Sequence, residues 1–287
     1  MPTYRTPGVY REEVFLAPAA ELRTGVPAFL GYAGEASEEA NRVPANEAKM
    51  LTSWPQFGQH FGPSLSNGYL AYAARGFFEQ GGDLCYVVRL DDTLDAQKAL
   101  SDGLDALAPL DTIDLICAPD IMRPHEDGTA PDESEVVAMQ AAVLKHCDTL
   151  GDRFAILDAP RGASVSDVQQ HPGKLRQQGT SGTNGALYFP WIRVLDGPAA
   201  TGGFIPACGH VAGVYARSDQ RTGVHKAPAN EVLEGVLDLE INLTSRGQDV
   251  LNPAGVNCLR AFPGRGIRVW GAETIRSHST PSHRGAR

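Results

Sequence analysis

Apolar positions along the chain follow two alternating rhythms: short runs closed by glycine or proline, and longer stretches with an apolar residue every third or fourth position. Val26-Pro27-Ala28-Phe29-Leu30-Gly31-Tyr32-Ala33 is an apolar run that predicts a buried strand. Ser53-Trp54-Pro55-Gln56 supplies a hydroxyl cap, a first-turn proline and a glutamine three residues on, and Phe57 and Phe61 follow four apart, so a short helix begins there. Tyr69, Ala73 and Phe77 recur at helical spacing, with Arg75 and Glu79 on another face, until Gly81-Gly82 provides a stop. Leu84 to Leu90 and Ile113 to Pro119 read as strands. A helix over Asp132 to Leu150 carries Val136, Met139, Val143, Cys147 and Leu150 in steps of three and four, and Phe154 to Asp158 is the next strand.

Further on, Gly179 to Gly185 forms a flexible loop, and Leu187 to Leu195 resumes as an aromatic strand that Pro190 confines to an edge or a bulge. Val211 to Ala216 is small and apolar, suited to a helix packed closely on a sheet. Leu237, Leu239, Ile241 and Leu243 alternate with Asp238, Glu240 and Asn242, the two-residue period of a half-buried strand, and Ile267 to Trp270 is a last short strand. Strand, helix, strand with short connections predicts an α/β fold, a mixed sheet flanked by helices. The prolines Pro2, Pro7 and Pro18 forbid a helix at the start and predict an extended N-terminal arm. The expected organisation is an arm at residues 1–20, a small α/β subdomain at 21–100, a main α/β core at 101–276 and a flexible polar tail at 277–287.

Composition narrows the function. Gly (31) and Pro (20) are abundant among 287 residues, which implies many turns. A formal net charge of -9 argues against a nucleic-acid partner, since neutralising phosphates needs clustered Lys and Arg. The five cysteines, Cys85, Cys117, Cys147, Cys208 and Cys258, are widely spaced and read as reduced thiols. The N-terminus lacks the pattern of a secretory signal, and no apolar run reaches membrane-spanning length, so assembly in the cytoplasm without membrane insertion is expected.

The chemical motifs fail one by one. Gly173-Lys174 lacks the rest of a phosphate loop, and Gly264-Arg265-Gly266 reads as a tight turn. Gly179-Thr180-Ser181-Gly182 has Thr183 where a nucleophile elbow needs glycine. Cys208, His210 and His225 match no zinc spacing, and nothing in the sequence joins Asp219, Asp238 and Glu240 into a carboxylate pair. No cofactor is expected. Arg260, Arg265 and Arg268, with Arg276, Arg284 and Arg287, make a basic stretch in an acidic chain, a candidate contact for an acidic partner.

Several segments, taken in order, resemble the contractile tail sheath proteins of phages, R-type bacteriocins and extracellular injection systems. They are Thr6-Pro7-Gly8-Val9-Tyr10-Arg11-Glu12-Glu13, Val26 to Gly31, Gly76-Phe77-Phe78-Glu79-Gln80-Gly81-Gly82, Phe189-Pro190-Trp191-Ile192, Gly209-His210-Val211-Ala212-Gly213-Val214-Tyr215-Ala216-Arg217, His225 to Asn230 and Leu251 to Asn257. The resemblance implies a non-enzymatic subunit stacked as six-fold rings around an inner tube protein, with baseplate and tail-terminator proteins at the ends. It also implies that the arm, Thr6 to Glu12 and on to Val14, adds a strand to a neighbouring subunit. Members of that family continue beyond the Gly266-Ile267-Arg268-Val269-Trp270-Gly271 segment, whereas this sequence has 16 residues after Gly271. A shortened variant, a truncated product and a chain completed by another are the three expectations. A sheath-end cap or adaptor, and a soluble hydrolase-like enzyme using Ser181 or the His210 region, are the rival readings.

Overall fold

The computed structural model describes residues 23–276; the arm at 1–20 and the tail at 277–287 lie outside the described residues. The elements run, in chain order, β1 (Pro27–Gly31), β2 (Ala48–Leu51), α1 (Trp54–Phe61), α2 (Leu70–Glu79), β3 (Cys85–Arg89), α3 (Ala96–Leu107), β4 (Leu115–Cys117), α4 (Glu133–Leu150) and β5 (Phe154–Asp158). They continue as α5 (Val165–Gln177), β6 (Gly185–Phe189), β7 (Ile192–Val194), β8 (Phe204–Ile205), α6 (Cys208–Thr222), β9 (Val236–Leu239), α7 (Ser245–Leu251), β10 (Val256–Phe262) and β11 (Gly266–Trp270).

Among the described residues, eight strands form one mixed sheet in the order β11-β10-β6-β5-β4-β1-β3-β2. Its six inner strands are parallel, and the outer two, β2 and β11, are antiparallel. The inner strands are mostly apolar because helices cover both faces, the pattern expected of a buried parallel sheet, with polar residues such as Arg89 and Asp158 at strand ends; Phe29, Leu30, Ile116, Ala155 and Leu187 are all fully buried. Strands from 21–100 and from 101–276 share this sheet. Beside β11, residues 230–233 pair with its outer edge, with Leu233 N–H donating to the Ile267 carbonyl (2.9 Å) and Val269 N–H to that of Glu231 (3.0 Å).

The longest helix starts as its sequence dictates. Asp132 accepts from Glu135 N–H while the Glu135 carboxylate accepts from Asp132 N–H, a complete capping box, and Gly151 closes the other end in the left-handed conformation.

Two strand expectations need correction. The aromatic run does not continue from Leu187 to Leu195 as one edge strand. β6 lies in the middle of the large sheet, the Phe189–Pro190 peptide is cis, and the chain leaves to start β7 in a separate three-stranded sheet ordered β8-β7-β9. Proline has no N–H for a ladder, so the strand ends where Pro190 stands and the next begins elsewhere. The alternating segment at 237–243 is a strand only over Val236–Leu239, and a register shift at Arg193/Val194 interrupts its pairing with β7. Leu237 is accordingly exposed while Leu239 is buried.

Candidate assembly surface

Helices α2 and α6 lie one on the other more closely than ordinary side chains allow. A Cβ on Gly209 would stand 2.2 Å from the Ala73 carbonyl oxygen, and one on Gly213 would stand 2.6 Å from that of Phe77. Glycine is required here by close approach. His210 meets α2 at Gly76, where a Cβ would fall 2.2 Å from its Nδ1.

Neither helix carries a side-chain cap of its own. Each receives a buried carboxylate from a distant strand end instead. Asp120, just beyond β4, accepts from the N–H groups of Tyr69 (2.5 Å) and Tyr32 (2.7 Å). Asp158, at the end of β5, accepts from those of Ala207 (2.7 Å) and Cys208 (3.0 Å). Carboxylates at helix N-termini satisfy orphan donors and favour the dipole. Burial dominates all the same, pushing both acids up to about 6. His210 is the opposite case. It is buried with no partner at either ring nitrogen, and burial, helped by the Arg75 charge, lowers it to about 4. Its ring also lines a groove with Tyr72, Arg75, Glu79, Leu195 and Leu237.

The candidate chemical groups are not brought together. Ser181 Oγ donates to Asp148 (2.6 Å), not to a histidine, and Lys174 lies inside α5, paired with Glu133. Asp238 pairs with Arg193 (3.5 Å) and Glu240 with Arg161 (3.4 Å), while Asp219 sits half-buried on α6. Among the described residues no group of three or more His, Cys, Asp or Glu is placed to hold a metal ion. Gly264 and Gly266, both at positive φ, form the β10–β11 turn around Arg265.

That hairpin does gather the three arginines singled out in the sequence. Arg260 and Arg268 are direct cross-strand partners. Phe262 and Trp270 lie beside them with ring centroids 4.6 Å apart, and the guanidinium groups of Arg260 and Arg265 lie 5.1 and 5.0 Å from the Phe262 centroid. The arm residues Thr6 to Val14 lie outside the described residues.

Residues 96–275 match the model of the phage tail sheath protein central domain, more than half of the chain. The chain belongs to the phage tail sheath family. A tail sheath protein of Burkholderia phage BcepMu is 27% identical over 129 residues, a match spanning 42% of this chain but only 27% of that protein. The helical sheath of the anti-feeding prophage in its contracted state is similar over 94% of this chain and 68% of its own, with 30% identity and a TM-score of 0.65. A chain in the baseplate structure of the same particle is 29% identical, with a TM-score of 0.69 over 96% of this chain and 70% of its own. The sheath-like segments Gly76–Gly82 and Gly209–Arg217, separate in the sequence, are the two sides of the α2–α6 contact. Arg217 closes it by donating to the Gln80 carbonyl (2.9 Å).

Proposed function

We propose that this sheath-family chain is a structural subunit that polymerises as stacked six-fold rings around an inner tube and shortens to drive that tube through a target envelope. The observation that carries this reading is the likeness, at 30% identity over 94% of the chain, to a helical sheath in its contracted state. Family membership implies structural rather than catalytic work. The matching relatives belong to contractile particles, which supports placing this chain in a phage tail or injection particle assembled in the cytoplasm, with an inner tube, baseplate and terminator as partners. No helix among the described residues is long and apolar enough to cross a membrane.

Shortening is driven by repacking between two arrangements of rigid subunits. The α2–α6 pair suits such a subunit: backbones in contact, with helix starts pinned by buried carboxylates, leave little room for internal slippage. Residues 6–14 act in this proposal as the linking strand, since extended backbone offers unpaired donors and acceptors to a neighbouring edge. Electron microscopy of a chain lacking residues 1–15 tests this. Loss of ordered tubes with an unchanged melting temperature is expected, and normal tubes overturn the arm's role.

A further inference from the structure

The β10–β11 hairpin holds an arrangement that costs stability in an isolated chain. Arg260 and Arg268 stand directly opposite each other, and like charges at such positions are destabilising. Arg265 adds a third cation at the turn. None of the three has a carboxylate partner within salt-bridge distance among the described residues. Arg260 donates to Gln248 (2.7 Å), while Arg268 donates to the carbonyls of Asn230 (2.7 Å) and Arg265 (3.0 Å). The carboxylate on the adjacent segment, Glu231, is taken by Lys226. Arg260 Nε is buried without a partner. The cations are therefore fixed in place by neutral acceptors and the Phe262 ring, and their charge is left unanswered.

The opposite charge lies at the far side of the sheet. Residues 91–111 hold six aspartates and one lysine, a net of -5, whereas 256–276 hold four arginines and one glutamate, a net of +3. Helix α3 turns its apolar residues Leu100, Leu104 and Leu107 inward against β1 and leaves Asp105 outward. Asp92, Asp105 and Asp111 are exposed and have no ion-pair partner among the described residues. Five strand spacings separate β11 from β1, against which α3 packs, on the order of 24 Å, so the two charges do not neutralise each other within one chain.

We propose that the Arg260–Arg265–Arg268 face of one subunit docks on the acidic surface that α3 and its flanking residues Asp92 and Asp111 present on a second copy. Such a contact joins two different patches, so it is heterologous and leaves a free basic end and a free acidic end after each addition, as a ring or helical polymer requires. The proposal rests on the sheath reading and adds to it the surface that sets which side of a subunit meets which.

Charge reversal in the full chain tests it. The pair Arg260→Glu with Arg268→Glu, or the pair Asp105→Arg with Asp111→Arg, should raise the concentration needed for assembly at least about tenfold at low salt. Combining all four should restore assembly. Arg260→Glu alone replaces a repulsive cross-strand pair by an attractive one, so that variant should melt no lower than the parent while assembling less well, which separates docking from folding. Assembly unchanged by either reversal, or not recovered in the four-fold variant, overturns the contact. If the parent forms no polymer at all, the sheath reading fails on its own, and sedimentation of each reversed variant with itself, against the parent with itself, still decides the contact. Weaker self-association than the parent's supports it, and equal self-association refutes it.

Discussion

His210 gives the sharpest test of how the α2–α6 contact is held. Its imidazole is buried, meets Gly76 across the helix pair and has no hydrogen bond at either nitrogen. Burial and the Arg75 charge lower it to about 4 from an ordinary value of 6.5. The folded chain therefore refuses a proton that the unfolded chain accepts. The contribution of neutral His210 is fully present above about pH 6.5 and is lost as pH falls toward 4, reaching about 2 kcal/mol at pH 5 by proton linkage. His210→Leu removes this loss and sacrifices no hydrogen bond, and as an apolar replacement of similar size it should lie within about 1.5 kcal/mol of the parent at pH 7.5. Urea titrations of both chains at low protein concentration, at pH 7.5 and pH 5, measure the difference between variant and parent at each pH. That difference should shift by about 2 kcal/mol in favour of the variant on acidification. His171, also lowered to about 4, and Asp120 and Asp158, raised to about 6, titrate in the same window but are common to both chains and cancel. A difference that does not change with pH would show that His210 accepts its proton as readily folded as unfolded, and the account of a buried, unpartnered ring would be wrong.

Two further substitutions probe the same helix pair. Asp120→Ala leaves the N–H groups of Tyr69 and Tyr32 without their buried acceptor and should cost about 2–4 kcal/mol in chemical denaturation. Gly213→Ala forces a methyl to within 2.6 Å of the Phe77 carbonyl and should cost about 1–3 kcal/mol, visible as a melting temperature several degrees lower.

The sequence made some of this structure readable, and the reasons are local. The α4 start was legible because Asp132 and Glu135 carry the whole capping signal within four residues. Strands β1, β3 and β5 were legible because burial of most of their residues leaves short, largely apolar runs. Helix α5 was missed because its interior holds His171, Pro172 and Gly173, which dilute the apolar period although Ser164 and Asp167 form a good cap. Strand β10 was missed because its charged end, Arg260 to Phe262, disguises a buried start at Val256 to Leu259. The switch of sheets after Phe189 was illegible in principle: Pro190 marks that a strand must break, but not which sheet the next residues join. The distant caps were hidden in the same way. Asp120 serves Tyr69 across 51 positions, and Asp158 serves Ala207 across 49, so no sequence window contains both partners.

The basic hairpin shows how those two kinds of information combine. Composition alone identified Arg260, Arg265 and Arg268 as a basic stretch, and a basic stretch on a solvated face needs no explanation. Strand pairing changes its standing, because the register sets Arg260 against Arg268 where a neutral or opposite pair would be more stable. The Phe262 ring against Arg260 and Arg265 and the Asn230 carbonyl on Arg268 restrict the freedom by which surface arginines ordinarily escape each other. A rigid surface of one sign at one end of the sheet and a surface of the other sign at the far end give each subunit a direction. For a polymer that must shorten without coming apart, such a direction is useful: electrostatic contacts fall off gradually with distance, whereas close-packed apolar contacts are lost over a fraction of an ångström. In the proposed polymer, neighbours joined by the hairpin and α3 would therefore slide between two packings while the attraction between them persists.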